Sequence, residues 1–308
     1  MIEWLRVLVG VGIPVGFALT GLGGLAQWWP ALDLVNNGLP VLAAGAIALC
    51  TLAVVTRDWR SIALAALLAA INVGLIVAGL AGAAAEAAPD AKRFLRVATF
   101  NLWFENERID EVDTFLNQTD ADVVMLQEVT GEHLAPLHKG LDAPYPYSVG
   151  DFGIVIFSKY AIKADGRVDR AGYPESLRLL ARWVELDVHG TAVEVVGVHC
   201  ARPFHPLLQA QDVAALTQLV LARTLPIVVA GDFNLTPWTD HLKRVTRMTE
   251  LGLAGVRQDC RDGRRAVGFG SPADHCQHRA RARPTRQGLR PAGATRFQSL
   301  PSWLRAWR

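Results

Sequence analysis

The chain has 308 residues and a formal net charge of only +2 at pH 7, so its bulk charge gives no indication of a nucleic-acid-binding protein. Hydrophobic residues make up 51% of the chain and charged residues 19%, and the apolar excess is concentrated in residues 5–88. The four cysteines have neither metal-ligand spacing nor the pattern of a disulfide framework; they are Cys50, Cys200, Cys260 and Cys276.

Three apolar runs open the chain, at about 5–28, 38–55 and 62–85. A helix needs about 20 residues to cross a hydrocarbon core of about 30 Å, and each run has approximately that length. We therefore predict a multi-pass transmembrane region over residues 1–88. One alternative is a buried helical hairpin in a soluble fold, but a domain of this size rarely buries three such runs in succession. The other is a cleaved signal peptide, which would explain only the first run.

Three spans place the two ends of this region on opposite sides of the membrane. Each side then carries three basic residues, namely Arg6, Arg57 and Arg60 against Lys92, Arg93 and Arg96. Because long domains are translocated largely regardless of their charge, we give the second set less weight. We expect the N-terminus inside and the following domain on the extracytoplasmic side.

An Ala-rich, Pro-containing stretch comes next, and we predict a linker over 89–93 and a soluble domain over 94–275. Apolar alternation or short apolar runs predict six strands, at Arg96–Leu102, Asp122–Leu126, Gly153–Ser158, Ala181–Leu186, Ala192–His199 and Ile227–Ala230. Helical spacing predicts helices over Ile109–Asn117 and Leu207–Leu221. Because strands and helices intermix, the predicted class is α/β or α+β with a layered core.

Polar residues follow four of these strands where each strand ends, and sites in sheet proteins collect at such ends. They are Asn101, then Gln127 and Glu128, then His199, and finally Asp232 and Asn234. Taken singly, each has an ordinary structural explanation, such as a cap or turn for Asn101 or a structural role for His199. The joint pattern predicts a functional site.

Carboxylate and amide oxygens are hard ligands that suit Mg²⁺ or Mn²⁺, and Glu128 with an asparagine suffices for such an ion. Asp232 could hold or deprotonate a water as a general base. His199 and Asn234 could donate hydrogen bonds to the oxygens of a phosphorane as charge develops. The sequence has no Cys or His cluster with zinc spacing and no nucleotide-binding glycine loop.

Five segments keep their order and spacing over about residues 94–255, and together they resemble the endonuclease/exonuclease/phosphatase superfamily, which has a deoxyribonuclease-like fold. The segments are RVATFNLWFEN, DVVMLQEV, GIVIFSKY, VVGVHCARP and VVAGDFNLTPW. The superfamily includes pancreatic-type deoxyribonucleases, apurinic endonucleases, inositol-polyphosphate 5-phosphatases and neutral sphingomyelinases. The three-helix anchor is similar to that of bacterial membrane-bound members, which implies the bacterial inner membrane.

The resemblance implies a four-layer sandwich of two packed mixed sheets with outer helices. It assigns metal binding to Asn101 and Glu128, and phosphate contact to His199, with Pro203 in its expected place. It assigns orientation of the attacking water to Asp232 and stabilisation of the transition state to Asn234. The implied protein is a membrane-anchored, Mg²⁺- or Mn²⁺-dependent hydrolase of phosphodiester or phosphomonoester bonds.

The substrate class stays open among a nucleic acid, a phospholipid and a sugar phosphate, and no protein partner can be inferred. Residues 94–260 have no evident run of Lys and Arg interleaved with aromatics, so extended duplex binding is not supported.

The end of the chain departs from the family pattern. Asp274 and His275, which begin 42 positions after Asp232, are candidate catalytic residues matching a family Ile-Asp-His motif. The final Ser-Asp-His motif is missing, and residues 276–308 contain eight Arg, no acidic residue and no predicted strand. The alternative function is a catalytically degenerate membrane protein that binds a phosphate ligand or a partner without turnover.

Two explanations apply to this tail. One is a disordered basic segment that contacts an anionic membrane or nucleic acid. We favour a shifted reading frame, because degenerate back-translation of 293–304, displaced by two bases, permits Gly-Ser-Asp-Pro-Phe-Pro followed by an apolar strand. If the tail is as written, loss of a core strand predicts weak folding and little turnover.

Overall fold

The computed structural model of the chain describes residues 2–81, 95–170, 172–173, 178–249, 251 and 278–279. The predicted linker over 89–93 and most of the predicted tail over 276–308 lie outside the described residues. The described part comprises an N-terminal group of apolar helices and a domain built on two sheets.

The N-terminal group contains three helices that are long and apolar enough to cross a membrane, which confirms the three predicted runs. Its elements are α1 (Ile2–Gly24), 3-10 turns at Leu25–Gln27 and Pro30–Leu32, the short α2 (Asp33–Asn37), α3 (Leu39–Thr56) and α4 (Trp59–Ala81). Apolar side chains such as Val41 and Trp59 expose 75% and 71% of their surface, so these helices are not covered by the rest of the described chain.

The first sheet has five strands, in the spatial order β3 (Tyr147–Val149), β4 (Gly153–Ser158), β2 (Val123–Val129), β1 (Arg96–Asn101) and β9 (His278–Arg279). Strands β1 (Arg96–Asn101) and β2 (Val123–Val129) are parallel, and α5 (Ile109–Gln118) connects them. Helix α6 (Gly131–Leu141) leads to β3 (Tyr147–Val149) and β4 (Gly153–Ser158), and β4 pairs antiparallel with β2. Helix α5 packs on one face of this sheet through Ile109, Val112 and Leu116.

The second sheet has the order β5-β6-β7-β8. Strands β5 (Ile162–Asp169), β6 (Leu179–Val188) and β7 (Thr191–His199) form an antiparallel meander. Helix α7 (Pro206–Leu221) then carries the chain to β8 (Ile227–Asp232), which is parallel to β7, and α8 (Asp240–Thr249) follows. The last described strand is β9 (His278–Arg279).

Three apolar clusters hold the layers together. The central cluster joins the two sheets, with Val97, Met125 and Ile156 from the first and Val184, Val195 and Val228 from the second. The outer face of the first sheet packs on α5 and α6, and that of the second sheet packs on α7. Burial of each such side chain contributes about 1.5–3 kcal/mol. The predicted four-layer sandwich of two mixed sheets with outer helices is confirmed.

The six predicted strands and two predicted helices are all present, with ends shifted by a few residues. Strand β5 was not predicted, because it is an edge strand whose charged residues and Gly166 mask its alternation. Helix α8 and the short strand β3 were not predicted either. The same holds for α6, which contains Pro136. The expectation that no strand follows Asp274 was wrong, because β9 pairs antiparallel with Arg96 and Val97 on the edge of β1.

Candidate active site

Four strand ends bring the predicted site residues together. Asn101 is the last residue of β1 and Glu128 lies near the end of β2, while His199 and Asp232 are paired last residues of the parallel strands β7 and β8. The amide nitrogen Nδ2 of Asn101 donates a hydrogen bond of 2.9 Å to Oδ2 of Asp232 in the other sheet. The site therefore spans the carboxyl edges of both sheets.

Asn101 links the two carboxylates of the site. Its Nδ2 also donates to Oε1 of Glu128 at 3.1 Å, and its Oδ1 accepts a hydrogen bond of 2.9 Å from the backbone N–H of Trp103. The side chain thus presents its nitrogen, not its oxygen, to Glu128 and Asp232. An asparagine ligand to a cation would use Oδ1, so metal binding by Asn101 requires its amide group to turn over.

The backbone at Glu128 is distorted in a way that aims the side chain. Its φ is +57°, in the left-handed region, and the pairing of β2 with β4 shifts register between Gln127 and Val129. Such a bulge re-aims a side chain beside a functional site. Oε1 lies 3.5 Å from Nε2 of His199, and Oε2 accepts a hydrogen bond of 3.3 Å from the backbone N–H of Phe104.

Gly231 permits the close approach that places Asp232. Its φ is +140°, and a Cβ atom there would lie 2.1 Å from the carbonyl oxygen of Val198. Any other residue would push β8 away from β7. Two residues after Asp232, the backbone N–H of Asn234 donates a hydrogen bond of 2.9 Å to Oδ1 of Asp232. This contact fixes the rotation of the carboxylate, which leaves its other oxygen to Asn101.

Burial lowers the pKa of His199 below its ordinary value, while the carboxylates of Asp232 and Glu128 act in the opposite direction. The partly buried imidazole is therefore favoured in its neutral form, with one nitrogen as a donor. Nδ2 of Asn234 donates to the carbonyl oxygen of Cys200 at 2.8 Å, which uses one of its two N–H groups.

A buried network that the sequence analysis missed supports the His199 loop. Arg170 donates to both carboxylate oxygens of Asp212, at 2.7 and 2.8 Å, and to the carbonyl oxygen of His199 at 2.7 Å. Nε2 of Gln209 donates to the carbonyl oxygens of Ala201 and Asn234, both at 2.9 Å. The sequence contained one indication of this network, because the polar residues Gln209 and Asp212 lie on the buried face of a predicted apolar helix.

Two predicted site residues, Asp274 and His275, lie outside the described residues. The structure therefore brings together Asn101, Glu128, His199, Asp232 and Asn234, which are five of the seven candidates.

The donor set suits a hard cation rather than zinc. Within the described part of the chain, no group of three or more His, Cys, Asp and Glu side chains is arranged as a metal site. One or two carboxylates with an amide oxygen and waters are the usual protein ligands of Mg²⁺. Glu128, with Asp232 and the amide of Asn101 beside it, fits that description.

Comparison with known families gives one match. The sequence model of the Endonuclease/Exonuclease/phosphatase family matches residues 98–305, about two thirds of the chain, including all seven candidate site residues. The match also extends into the Arg-rich tail. Among curated proteins, no significant relative is found.

Solved structures with a similar fold include three bacterial proteins. Sphingomyelinase C from Streptomyces griseocarneus is 20% identical, with a TM-score of 0.44, and the alignment covers 51% of this chain and 70% of that chain. An endonuclease/exonuclease/phosphatase from Bacteroides vulgatus is 22% identical, with a TM-score of 0.42 and coverages of 51% and 72%. Beta toxin from Staphylococcus aureus, in a structure with bound magnesium ions, is 18% identical, with a TM-score of 0.45 and coverages of 51% and 70%. All three identities are below 25%, so these similarities concern the fold alone.

Proposed function

The chain belongs to the endonuclease/exonuclease/phosphatase family, and on that premise we propose that it is a membrane-anchored, divalent-metal-dependent hydrolase of phosphodiester or phosphomonoester bonds. The observation that carries the proposal is the convergence of two carboxylates, an imidazole and two amides from both sheets at one edge of the sandwich.

We propose that Asp232 orients or deprotonates the attacking water. Its Oδ1 is held by the backbone N–H of Asn234, so the carboxylate is oriented before substrate arrives. Nε2 of His199 and the second N–H group of Asn234 donate to the phosphoryl oxygens as negative charge develops on them. The buried ion pair of Arg170 and Asp212 keeps the His199 loop in position.

Glu128, with the turned-over amide of Asn101, is the proposed holder of Mg²⁺ or Mn²⁺. A bound divalent cation supplies Lewis-acid polarisation of a phosphoryl oxygen. The backbone N–H of Phe104 restrains Glu128 through Oε2, so Oε1 of the carboxylate lies beside Asn101 and His199.

We place the hydrolase in the bacterial inner membrane, with its catalytic domain on the extracytoplasmic side. Three spans put the end of α4 on the side opposite the short turn that carries Arg57 and joins α3 to α4. Arg57 and Arg60 therefore lie on the other side of the membrane from the catalytic domain, as the positive-inside rule favours for a cytoplasmic turn.

The test uses the full chain in nanodiscs with Mg²⁺, and bis(p-nitrophenyl) phosphate and p-nitrophenyl phosphate as diester and monoester. Glu128→Gln and Asp232→Asn should each lower kcat/KM by about 10²–10⁴-fold, because each removes a charge that acts on the reacting phosphate. Glu111→Gln is the matched control, since Glu111 is an exposed residue of α5. Activity that survives both site substitutions would place the reaction elsewhere.

A protein that binds phosphate without turnover is the competing proposal, motivated by the missing Ser-Asp-His motif. Absence of hydrolysis with every divalent cation tried, together with retained phosphate binding, would favour it. The shifted reading frame stays a hypothesis. The coding DNA past residue 260 tests it, and a frame that encodes no apolar strand there would refute it.

A further inference from the structure

A carboxylate of the membrane region caps a helix of the catalytic domain. Asp33, in the connection between α1 and α3, is buried, with 1% of its surface exposed. Its two oxygens accept hydrogen bonds of 2.9 Å from the backbone N–H groups of Asp240 and His241, at the start of α8. These N–H groups have no partner within a helix, so Asp33 satisfies donors that would otherwise be buried unpaired.

Further contacts make this junction broad. Arg244 of α8 donates to the carbonyl oxygen of Gln27 at 3.0 Å, and the turn Pro30–Leu32 packs against α7. On the other side of the junction, a Cβ atom at Gly79 of α4 would lie 3.1 Å from the backbone of Pro237 and Trp238. The loop that joins the active-site strand β8 to α8 therefore rests directly on the last turn of a candidate membrane span.

The active site consequently lies close to the level of the lipid head groups. Helix α4 has 23 residues and a length of about 34 Å, slightly more than a hydrocarbon core of about 30 Å. Gly79, near the end of that helix, is then at the membrane interface. Because Asn234 and Pro237 are only three positions apart in the chain, their Cα atoms are at most about 11 Å apart.

Three exposed aromatic side chains, which we call the aromatic rim, follow the site residues. Trp103 and Phe104 come directly after Asn101 and expose 45% and 51% of their surface, and Phe204, in the loop after His199, exposes 73%. Trp103 and Phe104 contact each other edge to face, with ring centroids 6.4 Å apart. Aromatic side chains are favoured at the membrane–water interface, so the rim matches the position that the junction gives it.

From the junction and the aromatic rim we infer that the catalytic cleft faces the bilayer in which the chain is anchored, and that its substrate is a phosphate ester of a lipid in that bilayer. This inference rests on the proposed function. Head groups reach the cleft by lateral diffusion, and the rim enters the interfacial layer beside them.

Orientation is tested first, independently of activity. A fluorescent amino acid is incorporated at position 204 or 221 of the full chain, in nanodiscs that contain nitroxide-labelled phosphatidylcholine. Leu221 is a matched control, because it is 57% exposed but lies at the other end of the 16-residue α7, about 24 Å long. Several-fold stronger quenching at 204 than at 221 is expected, and equal quenching would overturn the inference.

The substrate is tested with phosphatidylcholine and phosphatidylglycerol in the same nanodiscs, against bis(p-nitrophenyl) phosphate and single-stranded DNA. We expect a higher kcat/KM for a lipid, and a several-fold fall in the ratio of lipid to soluble-ester hydrolysis in the Phe104→Ser/Phe204→Ser variant. Leu221→Ser should leave that ratio unchanged. Hydrolysis of the soluble ester or DNA in preference to both lipids would overturn the inference and leave the proposed function standing, whereas hydrolysis of none would overturn both.

Discussion

Each half of the sandwich buries one aspartate on an outer helix, and the two aspartates differ in whether their carboxylates have a full set of hydrogen-bond partners. In the second half, which consists of β5–β8 and α7, Asp212 is 1% exposed. In the first half, which consists of β1–β4, β9, α5 and α6, Asp113 is 7% exposed. A buried carboxylate is unfavourable unless it is paired and hydrogen-bonded, so the partners of each decide its effect on stability.

Asp212 has a full set of partners. Besides its two hydrogen bonds from Arg170, Oδ2 accepts one of 2.7 Å from the backbone N–H of Ala201, two residues after His199. Arg170 in turn reaches the carbonyl oxygen of His199. The ion pair is therefore a support for the end of β7 at His199 and for the loop that follows it.

Asp113 has no such role. Its Oδ1 has no hydrogen-bond partner, and its carboxylate lies against Gly140, where a Cβ atom would come within 2.1 Å of Oδ2. Burial raises the pKa of Asp113 to about 6, with a smaller contribution from the charge of Asp110. Buried charge therefore supports the candidate site in the second half and lowers stability in the first.

Removing Asp212 should have the largest effect on stability. Asp212→Ala leaves Arg170 buried without its carboxylate, which costs about 3–5 kcal/mol of unfolding free energy. Because the His199 loop loses its support, kcat should fall more than KM changes. Urea unfolding of the full chain in detergent micelles, followed by tryptophan fluorescence, measures the first effect, and steady-state hydrolysis measures the second. A loss below about 1 kcal/mol would mean that the pair is not a support.

Much of the sandwich and of the site could be predicted from the sequence, because buried strands are short apolar runs. The run at 123–126 and the run at 227–230 each end in polar residues, and parallel strands bring such ends to one edge. The convergence of Glu128 and Asp232 at this edge was therefore predictable, and the structure shows it through their shared contact with Asn101. The left-handed backbone at Glu128 was not, since no local propensity favours it for glutamate.

The supports of the site could not be predicted, since they depend on contacts between residues far apart in the chain. Arg170 meets Asp212 across 42 positions, and Asp33 meets His241 across 208. From the sequence alone, Asp33 is only a polar residue in the turn between the first two apolar runs. Its capping role requires the fold of both regions, and no periodic pattern records it.

Neutralising Asp113 should stabilise the protein at neutral pH. Asp113→Asn removes a buried charge at similar size, and a pKa difference of about two units corresponds to about 1–3 kcal/mol at pH 7.5. Asp110→Asn, one turn earlier on α5 and exposed, is the control and should change stability by less than about 0.5 kcal/mol. The same urea titration measures both, and a destabilised Asp113→Asn would show that the carboxylate has a useful partner.

The pH dependence of this effect has a defined sign. The pKa of Asp113 is about 6 in the folded protein, against the ordinary value of 3.8 that applies to the unfolded chain. Between these values the folded state binds more protons, so the contribution of Asp113 to stability falls as pH rises from 3.8 to about 6. The difference between wild type and Asp113→Asn should be present at pH 7.5 and should shrink towards pH 4.

The smallest predicted effect on the unfolding free energy, that of Asp169→Ala, tests whether burial or ion pairing explains the stabilising effect of Asp212. Asp169, like Asp212, lies in the second half and is paired with an arginine, at 2.9 Å from Nε of Arg167. Its side chain is 32% exposed and that of Arg167 is 41% exposed, so water screens the pair. Asp169→Ala should therefore change the unfolding free energy by less than about 1 kcal/mol, in contrast to Asp212→Ala. If both substitutions cost the same, pairing rather than burial would explain the stability of the second half, and the contrast with Asp113 would lose its physical basis.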